Sequence, residues 1–325
     1  MNNGILSPDG LRLVFTLNHD GYEELTLWNT GSRMTEKVPR LPRGIASAGG
    51  FSADGNRLVI TFNGSTIIDD IWVIDVRHAV SKQITFSSSG GVDKASLVDP
   101  SLLRYRSFDG RMIPAFLYLP RNAPGNRSVP VILSVHGGPE DQEQPYYYAY
   151  CQYFVSRGYA VLAPNIRGSK GYGKGYLALD NCPKRWDALK DLAAAADWLA
   201  IHPALNPRKI AILGASYGGF SVLAMLAHYP DRFAAEIDLY GPTDLKTFLA
   251  NTAPYRRPNR IAEYGDPVRD SAFMDAISPL RHAASIKAPL LVIQGANDPI
   301  VPPSESKQIV ETIHSRNRAV SVTSR

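Results

Sequence analysis

A serine stands between glycines where an apolar run meets a helical pattern. The stretch is "IAILGASYGGF" (Ile210–Phe220), and its G-x-S-x-G pattern spans Gly214–Gly218. A sharp strand-to-helix turn would raise the hydroxyl of Ser216 above the sheet edge, where it can attack a carbonyl carbon. The N–H of Tyr217, at the start of the helix, would face the oxyanion that forms. The pattern therefore predicts acyl transfer with Ser216 as the nucleophile.

A second glycine-containing turn follows an earlier apolar run. It reads "VHGGPED" (Val135–Asp141), and turns of the HGG type supply a further oxyanion N–H. We assign that N–H to Gly138. His136 has two interpretations, a general base or a residue that shapes the turn, and the motif favours the second.

An acidic residue follows a third apolar run, "LLVIQGANDPIVP" (Leu290–Pro302). Asp298 comes after Ser216 in the chain, which is the order of nucleophile and acid in catalytic triads on strand-to-helix turns. Asn297 and Asp298 could instead be ordinary turn residues, since both types are common in turns. The agreement in chain order favours Asp298 as the acid that orients a base.

The elements that must position these residues alternate between strands and helices. Apolar runs predict strands at Val129–Val135, Ala160–Ala163, Ile210–Leu213, Ala234–Leu239 and Pro289–Gln294. Helical spacing predicts helices at Trp186–His202, Gly219–His228 and Pro303–Ser315. This alternation indicates an α/β fold with a mainly parallel sheet and helices on both faces, in which sites form at the carboxyl ends of strands.

The N-terminal part of the chain contains an internal repeat. The S-x-D-G turn of Ser7–Gly10 recurs at Ser52–Gly55, and each copy is followed by an apolar strand and a Trp-containing strand. An all-β period of about 45 residues suggests propeller blades, although two generic hairpins remain an alternative. We therefore predict a partial, two-blade β-propeller-like segment at residues 1–90 and an α/β domain at residues 91–325. Two blades leave open sheet edges, which predicts self-association.

The composition excludes several other classes. Of 325 residues, 44% are hydrophobic and 20% charged, an ordinary globular composition. The net charge of +5 is spread along the chain and is not concentrated in a block of basic residues, so we expect no nucleic-acid partner. No apolar run reaches the roughly 18–20 residues of a membrane span, and the N-terminus lacks the pattern of a signal peptide. We expect a cytoplasmic protein. The two cysteines form no C-x-x-C motif or Cys/His cluster, so we expect no metal and no cofactor.

Six segments of the chain form a combined pattern: "HGGP" (136–139), "NIRGSKGYGKGY" (165–176), "GASYGGF" (214–220), "EYGDP" (263–267), "ISPLRHA" (277–283) and "GANDPIVPPSES" (295–306). Together they resemble the prolyl oligopeptidase family of serine peptidases, nearest its acylaminoacyl-peptidase-like branch. The resemblance implies an α/β-hydrolase domain preceded by a β-propeller, with Ser216 as nucleophile and Asp298 as triad acid. It also implies an oxyanion hole from the N–H groups of Gly138 and Tyr217, and a chain truncated at both ends.

The sequence departs from the family pattern at the base. The family's histidine lies on a loop after one more strand, which Ala319–Thr323 could form, and no histidine follows it here. His136 and His314 are the leading substitutes among the seven histidines, although a position in the last helix favours a distant His314. We expect a serine hydrolase acting on peptide or ester bonds that favours activated esters, because the missing base also protonates amide leaving groups. The alternative is a catalytically impaired hydrolase-like fragment that serves as a binding or assembly module.

Overall fold

The computed structural model describes residues 2–316 and 322–323 of the chain. Its contacts divide the chain into two compact units. The first comprises Met1–Ser101 together with Gln144–Arg157, and the second comprises Leu102–Glu143 together with Gly158–Arg325. None of the helices in the described part of the chain combines the length and the apolar character that a membrane-spanning helix requires.

Among the described residues, the first unit contains an eight-stranded sheet, one α-helix and a short 3₁₀ helix at Lys94–Ser96. Its elements are β1 (Asn2–Leu6), β2 (Arg12–His19), β3 (Tyr22–Asn29), β4 (Met34–Glu36), β5 (Ile45–Phe51), β6 (Arg57–Gly64), β7 (Ile67–Asp75), β8 (Val80–Gln83) and α1 (Ala149–Ser156). The strands form two antiparallel meanders, β1–β4 and β5–β8, which a single parallel pairing between β3 and β5 joins. The apolar residues of both meanders form one core.

The internal repeat gives both meanders the same first turn. Ser7 Oγ donates to Asp9 Oδ1 at 2.6 Å, and Ser52 Oγ donates to Asp54 Oδ1 at the same distance. The glycine after each aspartate has a positive φ, 72° at Gly10 and 68° at Gly55, which explains the D-G pair in each copy. The repeat seen in the sequence is therefore a repeat of structure.

The second unit contains a mixed sheet of eight strands. The strands are β9 (Ser101–Arg106), β10 (Met112–Tyr118), β11 (Val129–Val135), β12 (Ala160–Pro164), β13 (Leu205–Ala215), β14 (Ala235–Leu239), β15 (Leu290–Ile293) and β16 (Val322–Thr323). Their spatial order is β16-β15-β14-β13-β11-β12-β10-β9. The strands from β12 through β11 to β16 pair in parallel, and β10 pairs with β12 antiparallel.

Besides two 3₁₀ helices at Cys182–Lys184 and Pro279–Ser285, seven α-helices belong to this second unit in the described residues. They are α2 (Lys174–Leu177), α3 (Arg185–Ile201), α4 (Tyr217–His228), α5 (Leu245–Asn251), α6 (Arg257–Tyr264), α7 (Ser271–Ile277) and α8 (Pro303–Arg316). Every residue of the central strand β12 is buried, as expected for a strand covered on both faces. The predicted α/β class with a mainly parallel sheet is confirmed. Of the predicted strand 319–323, Val322 and Thr323 pair with β15, and residues 319–321 lie outside the described residues.

Candidate active site

Ser216 occupies the turn between β13 and α4. Its backbone has φ 57° and ψ −119°, a region that residues other than glycine rarely adopt. The Ser216 N–H donates to the Leu239 carbonyl of β14 at 2.9 Å, and the Ser216 carbonyl accepts from the Phe220 N–H at 3.0 Å. The sheet on one side and the helix on the other thus hold the serine in a strained conformation at the carboxyl end of β13.

The glycines around Ser216 are required by close backbone contacts. A Cβ at Gly218 would lie 2.1 Å from the Val135 carbonyl oxygen of β11, and one at Gly214 would lie 2.4 Å from the Gly218 carbonyl carbon. No side chain fits at either position unless β11 or the turn moves. The glycines of the sequence pattern therefore allow α4 to start directly against the end of β11.

The HGG turn lies against the turn between β13 and α4 that contains Ser216, which is called the elbow below. A Cβ at Gly137 would be 3.2 Å from the Ala215 carbonyl oxygen and 3.5 Å from Ser216 Cβ. Gly138 has φ 122°, which favours glycine, and its carbonyl accepts a hydrogen bond from Arg260 Nη1 at 2.9 Å. The N–H of Tyr217, as the first residue of α4, has no acceptor within the helix. The turn and the helix start are thus neighbours on either side of Ser216.

Asp298 lies in the turn after β15, at the same sheet edge as Ser216, because β13 and β15 are parallel. Its Oδ1 accepts hydrogen bonds from the N–H groups of Ile300 at 2.8 Å and Val301 at 3.1 Å. The Ile300 carbonyl accepts from Thr252 Oγ1 at 2.8 Å, which ties this turn to the end of α5. The Asp298 Oδ2 atom has no hydrogen bond to a described residue, so it can accept a hydrogen bond from the N–H of a base.

No histidine ring in the described part of the chain hydrogen-bonds to Ser216 or Asp298. His136 Nε2 lies 2.8 Å from Ser169 Oγ, and its Nδ1 lies 2.7 Å from the Gly137 carbonyl oxygen. His314 is exposed in the last turn of α8. The other five histidines contact residues away from the elbow. His19 and His78 lie within salt-bridge distance of Glu24 and Asp75. The ring of His202 packs on Trp198, that of His228 packs on Trp186 and His282, and His282 also contacts the Ala276 carbonyl.

The sequence patterns did not predict the buried cation Arg185, which contacts the residue next to Ser216. Arg185, at the start of α3, is fully buried, and its Nη1 donates to Asp180 Oδ2 at 2.8 Å. Its guanidinium carbon lies 4.9 Å from the ring centroid of Tyr217 and 4.6 Å from that of Tyr264. Glu263 Oε2, at 3.4 Å, provides a second carboxylate. The Arg185 side chain therefore supports Tyr217, the residue next to Ser216, and no local pattern in the sequence indicated this role.

Two buried carboxyls lie on β14, next to the elbow strand. Burial raises the pKa of Asp238 to about 7 and that of Glu236 to about 9. Asp238 Oδ1 accepts from the Gly241 N–H at 2.9 Å, and a Cβ at Gly219 would lie 2.2 Å from that oxygen. The Asp238 carboxyl thus packs directly beneath the first turn of α4.

Arg167 orders the segment that follows β12. It pairs with three carboxylates, Asp191 at 2.7 Å, Asp109 at 3.2 Å and Asp187 at 3.8 Å, and is itself buried. The carboxamide of Asn165 holds the end of the HGG loop, because it accepts from the Glu143 N–H at 2.6 Å and donates to the Glu143 carbonyl at 3.0 Å. The "NIRG" residues therefore act as a support for the loop that contains Gly138.

Comparisons with known proteins agree on one family. Residues 145–323 match the model of the prolyl oligopeptidase family. The chain is 34% identical to dipeptidyl aminopeptidase BIII of Pseudoxanthomonas mexicana over 282 residues, which is 79% of this chain and 41% of that protein. It is 25% identical to the acylamino-acid-releasing enzyme of Rattus norvegicus over 67% of this chain and 30% of that enzyme.

A solved structure of a puromycin-hydrolyzing peptidase from Mycobacterium tuberculosis has a similar fold. It superposes with a TM-score of 0.89 at 25% identity, and the match covers 99% of this chain and 49% of the peptidase chain. The chain thus spans less than half the length of each of these three proteins.

Proposed function

The chain belongs to the prolyl oligopeptidase family, and from that premise we propose that it is a serine hydrolase. Ser216 would attack the carbonyl carbon of a peptide or ester, and loss of the amine or alcohol from the tetrahedral intermediate would leave an acyl-enzyme that water then hydrolyses. The observation that supports this most directly is the strained backbone of Ser216 at the carboxyl end of β13. The matched relatives named as peptidases agree with this class of reaction.

The oxyanion would be held by two backbone donors. The N–H of Tyr217 belongs to the first turn of α4, and the N–H of Gly138 belongs to the HGG turn that packs against Ser216. Removal of one such donor costs about 10²–10³ in rate in other serine hydrolases. Asp298 would orient a base through its Oδ2, since its Oδ1 is already occupied by the N–H groups of Ile300 and Val301.

We further propose that this polypeptide prefers activated esters to peptides. The proposal rests on the histidines, none of which is bonded to Ser216 or Asp298 among the described residues. A histidine base accepts the proton of the serine and later donates it to the leaving amine. A nitrophenolate leaves without protonation, so its ester depends less on that histidine than an amide does.

Covalent labelling tests the nucleophile. A fluorophosphonate probe should label the wild-type chain and should not label Ser216→Ala. Turnover of p-nitrophenyl acetate should then exceed that of a peptide p-nitroanilide at equal concentration. Faster turnover of the anilide would contradict the proposed ester preference, while leaving the nucleophile in place.

The alternative is a hydrolase-like module that binds or assembles without catalysis. The engagement of His136 with Ser169 and Gly137 is the observation that favours it. A well-folded chain with no detectable labelling of Ser216 would support this alternative.

For the N-terminal part we propose a remnant of a β-propeller at residues 1–90, followed by the hydrolase domain at residues 91–325. The two similar meanders, β1–β4 and β5–β8, support the first of these segments. The contacts of the chain also group Ser101 and the residues before it, and Gln144–Arg157, with the first unit. We also propose self-association through the first unit, since it exposes Met34 at 67%, Val80 at 58% and Phe86 at 75%. Sedimentation at micromolar concentration tests this, and a monomer would contradict it.

A further inference from the structure

The segment from α5 to α6 has an excess of positive charge beside the proposed oxyanion turn. Residues 245–262 contain Lys246, Arg256, Arg257 and Arg260 and no acidic residue. Lys246 forms an ion pair with Asp275 on α7. The three arginines form no ion pair with a described carboxylate, and each is half-buried. These three residues are called the arginine cluster below.

The helical spacing places the three side chains close together. Arg256 precedes α6 directly, and the Arg260 N–H donates to the Arg256 carbonyl at 3.1 Å. Residues three and four apart in a helix are neighbours on its surface, so Arg260 lies beside both Arg256 and Arg257. Like charges at this spacing repel each other, and the repulsion falls when an anion lies between them.

Backbone carbonyls hold two of the three guanidinium groups. Arg260 Nη1 donates to the Gly138 carbonyl at 2.9 Å, and Arg257 Nη2 donates to the Ala250 carbonyl at 2.6 Å. The Nε atoms of all three arginines are out of contact with solvent and have no acceptor among the described residues. Such ordering lowers the entropy that an anion must overcome when it binds.

Two contacts fix this cluster at the edge of the sheet where Ser216 lies. One is the bond from Arg260 to Gly138, whose N–H is the proposed oxyanion donor. The other is Tyr264, four residues further along α6, whose ring centroid lies 6.3 Å from that of Tyr217, the residue after the nucleophile. The α6 helix therefore contacts both sides of the proposed oxyanion hole.

We propose that the arginine cluster recognises a carboxylate on the peptide substrate, adjacent to the bond that Ser216 attacks. This inference rests on the proposed hydrolase function and names its substrate class: peptides with an acidic side chain near the scissile bond. Guanidinium groups pair with carboxylates through paired N–H donors, which suits them to this task. Glu140 and Glu263 are nearby carboxyls. Glu263 contacts Arg185, and neither carboxyl forms an ion pair with the arginine cluster, so the cluster can bind a carboxylate of the substrate.

Peptide binding to Ser216→Ala tests the proposal without turnover. The probes are two fluorescein-labelled pentapeptides, Gly-Ala-Glu-Ala-Gly and Gly-Ala-Gln-Ala-Gly, both amidated at the C-terminus and measured by fluorescence anisotropy. We expect the Glu peptide to bind about tenfold more tightly at 50 mM NaCl, with the preference reduced at 500 mM. A Gln peptide with a free C-terminus distinguishes a terminal carboxylate from a side-chain carboxylate as the preferred group, and a preference for the terminal one would overturn the substrate class named here.

Variants show whether the cluster is responsible. Arg256→Gln leaves the Gly138 contact intact and should reduce the preference to less than threefold, and Arg256→Lys should retain part of it. Arg208→Gln is the matched control, since it removes an exposed arginine at the opposite end of β13. An equal loss of the preference for the Glu peptide in Arg256→Gln and Arg208→Gln would overturn the proposal. Equal affinity of Ser216→Ala for the two amidated peptides, or no binding of either peptide at 1 mM, would also overturn it. Labelling of Ser216 in the wild-type chain reports on the hydrolase function separately.

Discussion

His136 Nε2 lies 2.8 Å from Ser169 Oγ, and Ser169 Oγ lies 2.6 Å from the Ile166 carbonyl oxygen. Together with the contact from His136 Nδ1 to the Gly137 carbonyl, this engages both ring nitrogens. A nitrogen that is already hydrogen-bonded cannot accept the proton of Ser216 without losing that bond. The geometry therefore favours a role for His136 in holding the HGG turn.

The first prediction concerns this contact. Ser169→Ala should lower the free energy of unfolding by about 1–3 kcal/mol, because His136 Nε2 and the Ile166 carbonyl lose the Ser169 hydroxyl as a partner. His136→Gln should keep the pH profile of fluorophosphonate labelling from pH 5 to 9, with a rate within about tenfold of wild type. A fall of a hundredfold or more, together with loss of a step in that profile, would instead identify His136 as the base.

The second prediction concerns the strain at Ser216. With φ at 57° and ψ at −119°, a residue with a Cβ costs about 1–3 kcal/mol that glycine does not. Ser216→Gly should therefore raise the melting temperature by about 2 °C or more, while Ser216→Ala leaves it nearly unchanged. Calorimetry of the three proteins measures this. Equal melting temperatures for the glycine and alanine variants would show that the turn stores no strain.

The third prediction compares two glycines. Gly218→Ala places a Cβ 2.1 Å from the Val135 carbonyl oxygen, so β11 must shift, and we expect a loss of about 2–4 kcal/mol in unfolding free energy. Gly175→Ala, within α2, meets no atom within 4 Å. It should gain about 0.5–1 kcal/mol, because alanine restricts the unfolded chain. Urea titrations of both variants measure the two changes in unfolding free energy, which should have opposite signs.

The α/β class and the position of the serine turn could be predicted from the sequence. Each depends on a local pattern: β12 is a continuous apolar run, and the glycines at 214 and 218 are dictated by contacts with the adjacent backbone. Such a pattern is contiguous in the chain and can be recognised in a single sequence, even though the carbonyl that requires Gly218 belongs to Val135, far away in the chain.

Contacts between distant segments could not be predicted. The segment Gln144–Arg157 belongs to the first unit, and Gln152 bonds there to the Ser65 carbonyl and to Val98, both far away in the chain. Its sequence, rich in tyrosine, has no pattern that specifies this partner. The contacts of Arg185 with Glu263, and of Arg260 with Gly138, have the same character, because a lone arginine in a sequence does not indicate which acceptor it will meet.

The fourth prediction concerns the buried Arg185. Arg185→Met leaves Asp180 and Glu263 without their cation in a buried site, and we expect a loss of about 3–5 kcal/mol in unfolding free energy. Adding Asp180→Asn should recover part of that loss, because the amide needs no counter-charge. Denaturant titrations of the single and double variants measure both effects. A double variant less stable than Arg185→Met would contradict the role of Asp180 as the partner charge.

The last prediction concerns pH and Asp238. Burial raises the pKa of this carboxyl to about 7, whereas its ordinary value is 3.8, so the folded chain holds the proton more tightly than the unfolded chain. A raised pKa of the folded state means that the stability is fully present below about pH 4 and is lost as the pH rises towards 7. Asp238→Asn does not titrate, so its stability relative to wild type should increase by about 2–4 kcal/mol between pH 4 and 7 and then level off.

Chemical unfolding at intervals between pH 4 and 8 measures this difference. Glu236 and Glu143, whose pKa values burial raises to about 9 and about 8, titrate in both proteins and therefore cancel in the comparison. Asp231→Asn is the control, because that aspartate is exposed and paired with Lys287 on the surface. Parallel stability curves for wild type and Asp238→Asn across this range would show that the carboxyl beneath α4 is ionised in the folded chain. The first turn of α4 would then rest on a charged group, and the Gly241 N–H bond would have to stabilise that charge.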